Sequence, residues 1–279
     1  MLERSLQVKK RKTREMKVQI IVLILFINFG CSSQSENSNQ ERINIQKERE
    51  ITKEIKPTKE QNLIRSLKQL SITEELEDYE IVKEQIELDR NQLQSKGLQI
   101  DSISDIFKQS LLNKIIPFWE GTEWSFEGHT SKPKLGKIAC GYFVSTTLQD
   151  IGLNLNRYKL AQQSPIDEAR SLAINTEIKE FSEESVSENI SQINKYLKEG
   201  IHFIGFDQNH VGYILKEKKN LYLIHSNYIN AEGVLIEQIE KSEVFSAYSK
   251  FYIVELSTNK DLLNYWINKE TIKTKKRNQ

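Results

Sequence analysis

The chain has 279 residues, 38% hydrophobic and 28% charged, with 40 Lys+Arg against 39 Asp+Glu and a formal net charge of +1. Once the basic leader described below is set aside, no basic patch survives of the kind that phosphate neutralisation needs, so nucleic acid is not an expected partner. Of the two cysteines, one falls in a leader, so no internal disulfide is expected.

In chain order, a basic stretch (Lys9, Lys10, Arg11, Lys12, Arg14, Lys17) precedes an apolar run from Val18 to Phe29, closed by Gly30-Cys31-Ser32-Ser33. The layout is that of a secretory signal, too short for a comfortable membrane span. It resembles a bacterial lipoprotein signal, with Asn28 and Phe29 departing from the usual pattern. The resemblance implies a signal over residues 1–31, lipidation at Cys31, and a body anchored to a membrane on its outer, extracytoplasmic side. An uncleaved anchor is the alternative, and Met16 ahead of Lys17 offers a second start. Loss of residues 1–30 removes seven Lys/Arg and two Asp/Glu and turns the charge to about −4.

Residues 32–58 are Ser, Asn, Gln, Glu and Lys with almost no aromatic residue, a composition that cannot bury a core and predicts a flexible tether. Over 59–98, apolar residues recur at helical intervals (Leu63, Leu67, Leu70, Leu76, Tyr79, Ile81, Val82, Ile86, Leu88, Leu93) and predict one or two amphipathic helices, a stalk or a cap on the domain C-terminal to them. A single domain is expected over 99–270 and a basic tail over 271–279. Asp101 or Ser102 should cap a helix that runs to about Ile115, where Pro117 ends it. An aromatic loop with Trp119, Trp124 and Phe126 leads to a helix that begins at Cys140. Helical segments around 166–173 and 186–197 precede five strand patterns, 201–206, 210–216, 220–228, 234–239 and 250–256. Helices first and strands second, joined by short turns, predict an α+β fold with helices packed on an antiparallel sheet.

Cys140 is the one cysteine outside the leader, and it opens a helix whose unpaired amides and dipole favour an anion. A thiol there is expected to ionise more readily than a free one. On the strands, His210, Gly212 and Ile214 share one face, and Leu223, His225 and Asn227 share one face of the next. If the turn at 216–220 makes a hairpin, His210 and His225 come close, giving a nucleophile, a base and an orienting group. Asn227 is the alternative third residue. Gly212 should leave room for substrate beside the base, and Trp124 should form a wall of the cleft. His129 and His202 show no partner pattern. No metal site or cofactor is expected, because no His-Glu-x-x-His or cysteine cluster and no glycine-rich phosphate loop occurs.

These residues resemble the papain-like cysteine peptidases of the NlpC type over about residues 119–228. Gly121-Thr122-Glu123-Trp124 is similar to that family's loop, Ala139-Cys140-Gly141 to its nucleophile segment, His210-Val211-Gly212 to its base and Ile224-His225 to its third residue. Ala139, Gly141 and Trp124 depart from the aspartate, serine and tyrosine common there, and residues 153–200 form an insertion. The resemblance implies a papain-like α+β domain with Cys140 as nucleophile, His210 as base and His225 as orienting residue. It implies a hydrolase of the cell envelope that cleaves an amide of peptidoglycan peptides through an acyl-enzyme, acting as a monomer. An acyltransferase or amidase on another envelope substrate, and an inactive envelope-binding lipoprotein, are the alternative expectations.

Overall fold

The computed structural model describes residues 59–96 and 99–275. The signal, Cys31 and the tether over 32–58 lie outside the described residues. Among the described residues, no helix is long and apolar enough to cross a membrane. Contacts divide the chain into residues 1–62 and a compact unit from Leu63 onward, which holds the sheet and the cleft.

The first helix, α1 (Lys59–Lys96), is a single element of 38 residues. Tyr79, Ile86 and Leu93, seven residues apart, form its buried face and join the main core. Ile81 (61% exposed) and Leu88 (55%) point outward, so not every apolar residue of this helix packs inward. The Tyr79 hydroxyl donates to Asp150 Oδ2 at 2.6 Å and accepts from Trp119 Nε1 at 2.8 Å. Arg90 donates to the carbonyl of Gly152. These contacts make α1 a wall of the domain.

Next, α2 (Ile100–Gln109) begins after Gln99, which makes no side-chain cap, so neither Asp101 nor Ser102 is the cap. It passes through a π-helical turn at Ser110–Ile115 into α3 (Ile116–Trp119). Pro117 therefore does not stop the helix at Ile115. The wide turn restarts the hydrogen-bond ladder, and the proline falls in the first turn of α3, where its missing N–H costs nothing.

The chain continues through α4 (Cys140–Asp150), β1 (Asn154–Leu155), α5 (Arg157–Ala161), α6 (Pro165–Leu172), β2 (Lys179–Phe181), α7 (Val186–Tyr196), β3 (Gly200–Phe206), β4 (His210–Glu217), β5 (Asn220–Asn227), β6 (Gly233–Gln238), α8 (Glu243–Ser246), β7 (Phe251–Glu255), α9 (Lys260–Asn268) and β8 (Thr271–Ile272). Side chains of Asn156, Ser164, Ser185, Ser242 and Asn259 cap α5, α6, α7, α8 and α9 in turn. Residues 153–200 thus fold as β1, α5, α6, β2 and α7. Thr271–Ile272 pair in parallel with Asn154–Leu155, which places ordered structure inside the expected basic tail.

Six strands form one sheet in the order β2-β7-β3-β4-β5-β6, every neighbouring pair antiparallel. Strands β3 and β4 are buried on both faces over almost their whole length. On one face Phe203, Tyr213 and Ile224 pack in the core that holds Phe143, Val144 and Leu148 of α4. On the other, Ile204, Ile214 and Leu223 pack with Ile193 of α7 and Phe245 of α8. The fold is α+β, with helices against both faces of an antiparallel sheet.

Candidate active site

The loop before α4 sets the position of the thiol. Gly121 (φ 78°) needs the left-handed region that glycine tolerates. Its N–H bonds the carbonyl of Val234 on β6, and the Val234 N–H returns a bond to Thr122. Ile138 N–H and Ala139 N–H then bond the carbonyls of Glu123 and Gly128, while Ser226 Oγ donates to the Ile138 carbonyl at 2.7 Å. The loop is therefore laced to both β5 and β6, and the chain turns into α4 at Cys140.

Cys140 lines a cleft of about 670 Å³ together with His210, Trp124, Tyr142, Tyr228 and Tyr248. Its sulfur lies against the start of β4: the thiol points to the Asn209 carbonyl at 3.8 Å, and the Val211 N–H favours its anion. The two backbone contacts flank His210 on either side, which brings thiol and imidazole to one edge of the cleft.

The hairpin expected from the sequence forms, with Tyr213 opposite Ile224 and Ile214 opposite Leu223. His210 Nε2 lies 2.8 Å from His225 Nδ1, and His225 Nε2 lies 3.0 Å from Glu237 Oε1 on β6. Ser242 Oγ donates to the same carboxylate oxygen at 2.6 Å. Burial opposes ionisation of Glu237, but hydrogen bonds from His225 and Ser242 outweigh it and hold the carboxyl below its usual range. A carboxylate only accepts, so His225 carries its proton on Nε2 and presents a lone pair on Nδ1. His210 must then donate through Nε2, which leaves a lone pair on its Nδ1.

Burial, with the second imidazole beside it, drives His210 well below 6.5, so the ring is neutral. Burial likewise pushes the Cys140 thiol up to about 11, against the pull of the Val211, Gly141 and Cys140 amides. The expectation of an easily ionised thiol is thus corrected: loss of solvent outweighs the helix N-terminus. The resting pair is a neutral thiol beside a neutral imidazole. In any nucleophilic reaction of such a pair, proton transfer would accompany attack instead of preceding it.

The remaining expected residues fall in different places. Trp124 lines the cleft and lies 6.2 Å, ring to ring, from Tyr228. Gly141 also lines it. Gly212 does not. A Cβ there would lie 2.8 Å from the Ile224 carbonyl and 2.9 Å from His225 Cβ, so this glycine serves close approach of β4 to β5 and makes no substrate space. Asn227 bonds Glu232 and the Ile229 N–H within its own turn, and the second imidazole, not Asn227, is what meets His210 Nε2. His129 sits at the cleft rim, and His202 is buried elsewhere against the Lys198 carbonyl. Sequence reasoning missed Glu237; the signal was the alternation of β6, which puts Glu237 on the face of Leu223 and His225 once β5 and β6 are paired. Among the described residues, no group of three or more His, Cys, Asp or Glu side chains could hold a metal ion.

No protein-family model, curated protein or solved structure matches this chain.

Proposed function

We propose that the chain is a papain-like cysteine hydrolase of the cell envelope, anchored through a lipid on Cys31, that cleaves an amide bond of peptidoglycan peptides. The observation that carries the reading is the line of contacts His210 Nε2, His225 Nδ1, Glu237 behind the only thiol in the cleft. That line fixes which nitrogen of His210 is basic. In the proposed reaction the Cys140 sulfur attacks the amide carbonyl carbon as its proton passes to His210 Nδ1. The backbone amides at the start of α4 hold the oxyanion. Collapse breaks the C–N bond, His210 returns the proton to the departing amine, and a thioester remains. Water, deprotonated by His210, then releases the acid and restores the thiol.

The test is muropeptide release from isolated cell wall by the chain from Ser32 onward, against Cys140→Ala. New fragments from the first protein alone are expected. Equal release from both would remove the reading. The high position of the thiol favours a second one, an envelope-binding domain without catalysis, and wall binding by both proteins with release by neither would establish it.

A further inference from the structure

Glu168 stands in the first turn of α6 and is 1% exposed, yet it lines the cleft with Cys140. Capping of that helix is left to its neighbours, Ser164 and Asp167. The Glu168 Oε2 atom is buried with no hydrogen-bond partner. Its Oε1 points toward Gly141, where a Cβ would come within 2.9 Å. A Cβ there would also lie 2.7 Å from the Ala161 carbonyl, so the absent side chain beside Cys140 admits both the α5 backbone and the carboxyl.

A buried glutamate is ordinarily kept by a cation or by several donors. Here burial holds the carboxyl well above its usual range, in its neutral form. Among the described residues no Lys or Arg lines the cleft; its other carboxylate side chain, Glu127, adds to the negative side. The walls are tyrosine and tryptophan, which suit an alkyl chain and the positive charge it carries. We propose that the missing partner arrives with the ligand, and that Glu168 is the specificity-determining carboxyl of a subsite for a primary ammonium group bound next to Cys140. On binding, the carboxyl proton leaves to water and the ion pair forms as a charge-assisted hydrogen bond inside the cleft. Calling that ligand a substrate rests on the hydrolase reading; the binding itself does not.

The experiment reads protection of Cys140 from iodoacetamide in the full chain, at about pH 9, where an alkylammonium is still protonated. The probes are n-pentylammonium and its uncharged counterpart n-pentanol. The ammonium is expected to slow labelling of the wild type. Glu168→Gln should need a concentration roughly tenfold higher for half-protection, and pentanol should protect neither protein. Equal protection of wild type and Glu168→Gln, equal protection by pentanol, or no protection at all would overturn the subsite. Glu168→Leu, compared with Glu168→Gln for thermal unfolding, guards against a folding defect. Because labelling needs no turnover, a protein that protects but never cleaves cell wall keeps the subsite and loses only the hydrolase reading. If cleavage occurs, Glu168→Gln should lower kcat/KM roughly tenfold for muropeptides with free amines and leave acetylated ones unchanged.

Discussion

His210 and His225 meet nitrogen to nitrogen, Nε2 to Nδ1 at 2.8 Å, with the two rings nearly perpendicular at 86° and both shielded from solvent. Two adjacent imidazoles cannot both donate across that contact. The direction of donation is set from outside, by Glu237.

Removing that acceptor should randomise the proton order. Glu237→Leu is expected to lower kcat roughly 10²-fold, within the range that general acid–base catalysis contributes, while KM changes little. Glu237→Gln keeps a carbonyl able to accept from both His225 and Ser242, so it should retain most activity. Imidazole nitrogen chemical shifts would report the tautomers directly. A Leu variant with unaltered tautomer and rate would show that the carboxylate is structural.

The raised thiol and the lowered imidazole give two pH limbs. Cys140 is protonated below about 11, so alkylation by iodoacetamide should keep rising as pH climbs past neutrality toward that value. His210 stays neutral down to well below 6.5, so the base remains available through mildly acidic pH and the acid limb of kcat/KM should lie under 6.5. A labelling rate that levels off near neutral pH would mean a preformed thiolate and imidazolium, contrary to these directions.

Tyr79 ties α1 to the helix that bears Cys140. Tyr79→Phe strands the buried Trp119 N–H and removes a donor from Asp150, and should cost about 1–3 kcal/mol in a urea titration. Deleting residues 59–98 should give an unfolded chain, because Tyr79, Ile86 and Leu93 belong to the main core. A truncated protein that folds and outperforms the parent would make α1 a removable cap.

Much of the sheet was legible from residue order alone, because period-two patterning and short polar turns leave few alternatives for 201–206, 210–216 and 220–228. The two histidines could be paired for the same reason: on one face of a hairpin, residues at 210 and 225 must approach. Glu237 was opaque because a glutamate in an alternating strand reads as a solvent-facing residue until β6 is placed against β5. The state of the thiol was opaque too. A helix N-terminus is visible in sequence, but the side chains that strip water from Cys140 come from segments far along the chain. Pro117 read as a stop because a π turn leaves no local mark.

The carboxylate that sets the polarity of both rings belongs to the outermost strand of the sheet, and among the described residues that strand is bonded on its free side only near Val234, by Gly121 and Thr122. Unzipping this margin would scramble the proton order of the two imidazoles while leaving the central strands intact. Readiness for chemistry would then be lost well before the molecule melts.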